Sequence, residues 1–304
     1  MLDVRRLRVL HAVSAYGSVT AAAAALGYSA PAVSQQLAAL EREVGLPLTE
    51  RAGRGIMLTP AATLLVAHTD ALLNRLDAAE ADLAALRDQV TGRVALAAFP
   101  SAAATVVTAA WVALARSAPH VQLELEEMEP EESLPALLRG QADVAVAHEY
   151  DIFPRPLDPL FERRELLTDP VLLAVPEGFA APDDKPVPLA SLGDQPFLAP
   201  RANTSCAEMI QRACARAGFV PRVVARATER VVQLNLVAAG VGLTLVPRLA
   251  AQPLPPGVRL LPVAEPVTRN IFTVSRRGGD RQPAVRVVLD ALLDASAKVP
   301  PRGI

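Results

Sequence analysis

Residues 17–48, GSVTAAAAALGYSAPAVSQQLAALEREVGLPL, decide the fold of the first part of this chain. Gly17 and Gly27 bracket a run that is pure alanine from Ala21 to Ala25, and Ser18 and Ser29 stand where each following helix needs a cap. The run predicts a helix over Val19 to Leu26, whose small side chains let another helix cross closely. Pro31 falls in a first helical turn, where its missing N–H does no harm, so a third helix should run from there to about Val44. Upstream, Leu7, Leu10 and Val13 recur at helical spacing over residues 4–16, and Gly17 stops that helix.

In the third helix Val33, Leu37, Leu40 and Val44 share one face and should pack inward, leaving Pro31, Ser34, Gln35 and Ala38 outside. Two helices joined by a glycine turn, with small polar side chains near the start of the second, suit a reader of the DNA major groove. Ser and Gln can hydrogen-bond base edges, and a helix start attracts phosphate. On residue types alone an ordinary helical hairpin fits the same pattern. Residues 45–62, GLPLTERAGRGIMLTPAA, add Arg51 and Arg54 in a glycine-containing excursion that reads as a hairpin wing able to grip the DNA backbone. Across residues 1–60 six arginines face four acids, an excess too small to mark a DNA surface by itself.

The whole chain has 304 residues, enough for two or three compact units, and 51% of them are apolar. Its net charge of -2 gives no global field, so any DNA contact must be local. Two cysteines, Cys206 and Cys214, cannot form a disulfide framework, which fits reducing conditions. The N-terminus lacks the apolar core of a signal peptide and no stretch of about twenty apolar residues follows, so a cytoplasmic protein with no membrane contact is expected. Lysine occurs only at 185 and 298, a bias toward arginine that reflects a GC-rich genome rather than a function.

From Thr59 and Pro60 the sequence stays helix-compatible to about residue 88. Positions 65, 69, 72, 76, 79, 83, 86 and 90 hold Leu, Thr, Leu, Leu, Ala, Leu, Leu and Val, alternating by four and three. That alternation marks a coiled-coil seam, although an internal amphipathic helix is the plainer alternative. Dimerisation directly behind a DNA-reading head would place two heads on two half-sites.

After Thr91-Gly92 the pattern changes to short β-rich runs alternating with helical ones, which predicts parallel strands with crossover helices. Strands are expected at 94–98, 121–126, 143–147, 171–175, 197–199, 223–225, 243–246 and 271–274, with helices near 102–116, 133–138, 207–216, 231–239 and 284–293. Two lobes, about 91–163 with 268–304 and about 164–267, would be joined by crossovers near 162–168 and 262–269. Between them lies a cleft suited to a small ligand. Ser101 and Ala102 open one helix at its edge, while Asn203, Thr204 and Ser205 open another. Free N–H groups there, with Arg201 as a fixed charge, favour a carboxylate or other small anion. Capping is the more ordinary use of Ser101, Thr204 and Ser205.

The four histidines show no metal-ligand spacing, and neither a nucleophile elbow nor a phosphate loop is present, so no enzyme, cofactor or metal is expected. Gly240-x-Gly242 follows a helix and more simply turns the chain into a strand. A solute-binding protein would have no use for the head or the heptads.

In order and spacing, the segment from Leu7 to Ala61 resembles the winged helix-turn-helix head of LysR-type transcriptional regulators over about sixty residues. By that resemblance Ala30, Pro31, Ser34 and Gln35 contact bases of double-stranded DNA, and Arg51 and Arg54 lie in the wing. Thr49 and Ala62 depart from the aromatic and the glycine usual there. The segments GRVALAAFPSA, LLRGQADVAVAH and LVAAGVGLTLVPRL resemble the effector domain of the same family, whose architecture is shared with periplasmic solute-binding proteins. The resemblance implies an α/β protein overall, divided into head (1–59), linker helix (60–90) and two-lobed effector domain (91–304). It implies homodimers that often assemble into tetramers, and adds His148, Thr228 and Val246 to the cleft. A peroxide-sensing branch of the family carries a cysteine pair near Cys206 and Cys214. There the spacing is nine rather than eight, and a histidine stands where this chain has Ser205.

Overall fold

The computed structural model describes residues 2–52, 55–85, 90–180 and 185–299. In the head, α1 (Val4–Tyr16), α2 (Val19–Leu26) and α3 (Ala30–Val44) each end on a glycine in the left-handed conformation, Gly17, Gly27 and Gly45. Ser18 Oγ accepts from the N–H of Ala21 and Ser29 Oγ from that of Ala32, so both serines cap as expected. Val33, Leu37 and Leu40 pack with Leu7, Leu10, Val13, Ala22 and Ala23 into one core. The alanine run lets these helices approach closely enough for Ala22 to be fully buried.

β1 (Thr49–Ala52) and β2 (Gly55–Leu58) pair antiparallel with Thr49 opposite Leu58, which makes the wing a hairpin. Glu41 reaches from α3 to anchor its base, its Oε1 accepting from the N–H groups of Leu48 and Thr49 and from the Thr49 hydroxyl. Thr49 therefore serves as a polar tie at a point where an aromatic would pack instead. Ala62 is fully buried in the head core.

Thr59 caps α4 (Pro60–Ala85), its Oγ1 accepting from Ala62 N–H and donating to Pro47 O. The expected seam divides in two. Leu65 packs on the head core and Thr69 is buried, its hydroxyl bonded to Leu65 O, whereas Leu72 and Leu76 are each 38% exposed. Leu86 lies outside the described residues, as does the side chain of Leu83.

The effector region opens with β3 (Gly92–Ala98). A continuous helical stretch follows, made of α5 (Pro100–Ala102), a π-helical segment (Ala103–Val107) and α6 (Thr108–Ser117). Next come β4 (Val121–Glu127), α7 (Pro130–Leu138), β5 (Val144–Tyr150) and the long β6 (Phe161–Pro176). The chain continues through β7 (Pro196–Ala199), α8 (Ser205–Arg216), β8 (Arg222–Arg226), α9 (Arg230–Ala238) and β9 (Thr244–Pro247). It ends with β10 (Val258–Leu261), β11 (Thr268–Arg276) and α10 (Pro283–Ala297).

The expectation of parallel strands needs correction. β3 pairs parallel with β4 and β5, and β7 with β8, but β11 is antiparallel to both β5 and β6, and β6 is antiparallel to β9 and β10. The cause is that the crossovers include strands. β6 pairs with β11 up to Pro170 and with β9 from Val171, so it passes from one lobe to the other without leaving extended conformation. One lobe is β4-β3-β5-β11 with the first half of β6; the other joins β10, the second half of β6 and β9, linked to β7 through a bridge between Phe197 and Leu243.

The head also touches the effector domain of its own chain. Gln141 Nε2 donates to Ala15 O at 3.3 Å. Close by, His11 Nε2 lies 2.7 Å from Asp70 Oδ1 on α4. Gly140 takes a φ of +69° there, and a Cβ on it would stand 3.1 Å from His11 Nε2. A side chain would therefore crowd this joint as well as strain the turn.

Candidate DNA interface and effector cleft

On the head, Pro31, Ser34 and Gln35 are exposed on the outer face of α3, and Ala30 is half-buried at its start. Neither the Ser34 nor the Gln35 side chain makes an intrachain hydrogen bond among the described residues, whereas the Gln36 side chain next door accepts from Arg6 Nε. Arg51 lies on β1 of the wing, and Arg54 falls outside the described residues.

At the junction of the lobes, Arg269 from β11 stands directly opposite Asp169 from β6. One guanidinium amino group reaches Asp169 Oδ2 at 2.7 Å and Ser101 Oγ at 3.0 Å, while Asp169 Oδ1 accepts from Leu249 N–H. The two side chains are 2% and 0% exposed. Burial opposes the guanidinium charge, but the Asp169 carboxylate beside it more than offsets this, so the Arg269 pKa is raised and the pair stays ionic. The guanidinium also lies 4.9 Å from the centre of the Phe99 ring.

His148 is fully buried beside this pair, edge-on to Phe99 and Tyr150. Burial pushes its pKa down against the opposite pull of Glu129, whose Oε2 lies 3.4 Å from Nε2, so the imidazole is neutral at pH 7. Glu129 is itself desolvated, yet the His148 hydrogen bond and the charges of Arg269 and Arg230 hold its pKa below the usual value. Tyr150 closes the group from the end of β5, its hydroxyl 3.1 Å from Cys206 Sγ on the opposite lobe. Burial raises the phenol pKa well above its ordinary value, so Tyr150 keeps its proton.

On the second lobe Thr204 caps α8, accepting from Ala207 N–H and donating to Arg201 O, with Ser205 buried one residue later. Asn203 holds the turn before it at a φ of +66°. Arg201, Asn203 and Thr228 are exposed. Ala102 and Val246 are packed into the hydrophobic cores of their own lobes. The fixed cation beside Ser101 is thus Arg269. Sequence reasoning missed it together with Asp169, Tyr150, Glu129 and Arg230, and the sole available signal was a charged residue inside an apolar, strand-like run.

The cysteines sit on one unbroken helix. Eight residues of α-helix separate Cys206 from Cys214 by about 12 Å along the axis, while a disulfide needs Cα atoms within about 7 Å. A bond between them would require α8 to unwind. Burial pushes the Cys214 thiol up to about 12, which leaves almost no reactive thiolate.

A winged helix-turn-helix head carried on a long helix in front of a two-lobed α/β domain defines a ligand-responsive, DNA-binding transcriptional regulator. Residues 4–63 match the family model described as a bacterial regulatory helix-turn-helix protein of the lysR family, and residues 87–297 match the LysR substrate binding domain. The chain belongs to the LysR family of transcriptional regulators. It is 28% identical over 281 residues to the HTH-type transcriptional regulator IlvR of Caulobacter vibrioides, covering 91% of this chain and 93% of that protein. It is 27% identical over 283 residues to the dual regulator OxyR of Escherichia coli, covering 91% and 90%. Among solved structures, a full-length OxyR variant from Pseudomonas aeruginosa shares its fold with a TM-score of 0.76 at 20% identity, over 96% of this chain and 95% of that one. CbnR, a LysR family regulator, has a TM-score of 0.55 at 25% identity, over 96% and 100%. No described helix is long and apolar enough to cross a membrane.

Proposed function

We propose that this regulator acts as a homo-oligomer in the cytoplasm and reads its promoters through Ala30, Pro31, Ser34 and Gln35 with the wing arginines. A small metabolite bearing a carboxylate or other anionic group, held between the two lobes, controls that reading. One observation carries the proposal: Ser101, Arg269 and Asp169 form a buried polar joint where both connecting strands pass between lobes, so whatever binds beside it bears on the lobe arrangement. A ligand acts at a distance only by favouring one arrangement over another. Ser34→Ala and Gln35→Ala are each expected to reduce discrimination between a selected promoter site and random DNA by roughly 1–3 kcal/mol per lost base contact. Competition binding at fixed salt measures this, and unchanged preference in both variants sinks the assignment of the reading face. A panel of small carboxylates, added to the native protein on its promoter, should include members that change the footprint, and Ser101→Val should remove that response.

Sensing through the cysteines is the second reading, favoured by the Tyr150–Cys206 contact alone. Replacing both cysteines with serine is expected to leave the metabolite response intact, and peroxide is expected to leave DNA affinity unchanged. Peroxide sensitivity of the native protein that is lost in the double variant reverses this order.

A further inference from the structure

We propose that the effector domain carries a second, regulatory ligand site, apart from the cleft beside Ser101, and that it takes a small apolar monocarboxylate. The site is a cavity of about 480 Å³ where the turn after β9 meets α6 and the end of α10. That volume lies within the roughly 300–1,000 Å³ of small-molecule pockets. Its described lining includes none of Ser101, Asp169 and Arg269, so the site goes beyond the cleft reading.

The cavity is built where the lobes are fastened to each other. Residues Arg248–Ala251 form a 3₁₀ turn directly after β9, and the turn belongs to both lobes. Leu249 packs in the core of the first lobe, and Ala251 in that of the second. Leu249 lines the cavity, and its N–H donates to Asp169 Oδ1 at 3.1 Å. Asp169 holds Arg269, which donates to Ser101 Oγ at 3.0 Å. From Ser101 the chain of bonds returns to the cavity, because Ser101 O accepts from the Thr105 hydroxyl at 2.6 Å and Thr105 is also in the lining. Thr105 belongs to the π-helical segment, a wide turn that is rare and recurs at functional sites. A guest resting on Leu249 and Thr105 therefore touches both ends of the network that braces the lobes. If it favours one lobe arrangement, it changes the affinity of the cleft, and a cleft ligand changes its affinity by the same factor.

The lining sets the chemistry of the guest. Ala109, Leu249 and Ala295 supply an apolar wall, on which a hydrocarbon chain or ring is withdrawn from water. The charged side chains in the lining are Arg248, from the turn, and Lys298, directly after α10, and both are cationic. Asp290 and Asp294 line the adjoining groove between α6 and α10, which also meets Lys298, so an anion is directed toward the Arg248 end. One carboxylate can meet these cations through charge-assisted hydrogen bonds while its apolar body covers the wall. An amine of the same shape would face two like charges. A small hydrophilic acid would leave the wall wet.

The test uses titration calorimetry on the full-length protein, with octanoate and hydrocinnamate as probes and octylamine and acetate as controls. At least one probe should bind, and both controls should bind at least tenfold more weakly. Ala109→Phe, which fills the cavity from α6, and Lys298→Glu, which reverses a charge in the lining, should each weaken the probe at least tenfold. Both positions are exposed, so the variants should fold, and circular dichroism checks this. Ser101→Val should bind the probe within threefold of the native protein. The bound probe should also change affinity for a selected promoter site at least threefold, and this response should vanish in Ala109→Phe. Binding of neither probe, equal binding of octylamine, unaltered binding by both cavity variants, or an unchanged DNA affinity overturns the inference. If Ser101→Val abolishes binding and the cavity variants do not, the acid occupies the cleft: that reading stands and the second site falls. If no probe binds and Ala109→Phe lowers the mass of the native oligomer, the cavity is a contact between copies of the chain and the inference falls.

Discussion

Replacing Asp169 with alanine is expected to destabilise the effector domain by about 3–5 kcal/mol, because it leaves a buried guanidinium without its counter-charge. Arg269 is almost completely shielded from water, and its Nε is already without a partner. The same substitution strips the Leu249 N–H of its acceptor. The damage falls where β6 and β11 carry the chain from one lobe to the other, so lobe orientation and stability should fail together. Removing both charges as Asp169→Leu with Arg269→Met should recover most of the stability, since an apolar pair of similar volume needs no solvation. That double variant should nonetheless lose the ligand response, because Ser101 no longer has a guanidinium to hold. Urea unfolding followed by the circular dichroism of the full-length protein measures the first effect. A single variant within about 1 kcal/mol of the native protein would show that water reaches Arg269 and that the pair does not brace the lobes.

The head could be read from sequence because every boundary has a local cause. Gly17, Gly27 and Gly45 each take the left-handed conformation that closes a helix, and Ser18 and Ser29 each sit where the next helix needs an acceptor. The charged joint at the cleft could not be read in this way. Asp169 and Arg269 meet across a hundred residues of chain, and neither has a neighbour in sequence that hints at the other. The first half of β6, FERRELLTDP, is rich in charge and ends at a proline, so it does not resemble a strand until its pairing with β11 is known. The antiparallel pairs are hidden for the same reason: alternation of strands and helices says nothing about a strand that belongs to two lobes. β10, Val258–Leu261, is too short for its sequence to carry a measurable period.

The exposed half of the linker seam leads to the other large effect. Leu76→Glu is expected to convert the oligomer to monomers at micromolar concentration. Positions 65 and 69 are covered by the protomer itself, but Leu72 and Leu76 continue the four-three spacing with a substantial part of their surface in solvent. Leucines so spaced on an exposed helix face are covered when a second copy packs along them. In a two-fold pair each substitution acts twice, so two glutamates would be desolvated with no partner charge. A total penalty of even about 3 kcal/mol weakens association roughly a hundredfold. Leu76 lies beyond the part of α4 that serves the head core, so the monomer should keep a folded head and bind single half-sites weakly. Sedimentation analysis gives the mass, with Arg75→Glu, an exposed charge change on the same helix, as the control that should stay oligomeric. A soluble Leu76→Glu protein of native mass would mean that α4 does not pair at this position and that the heads are held together through another surface.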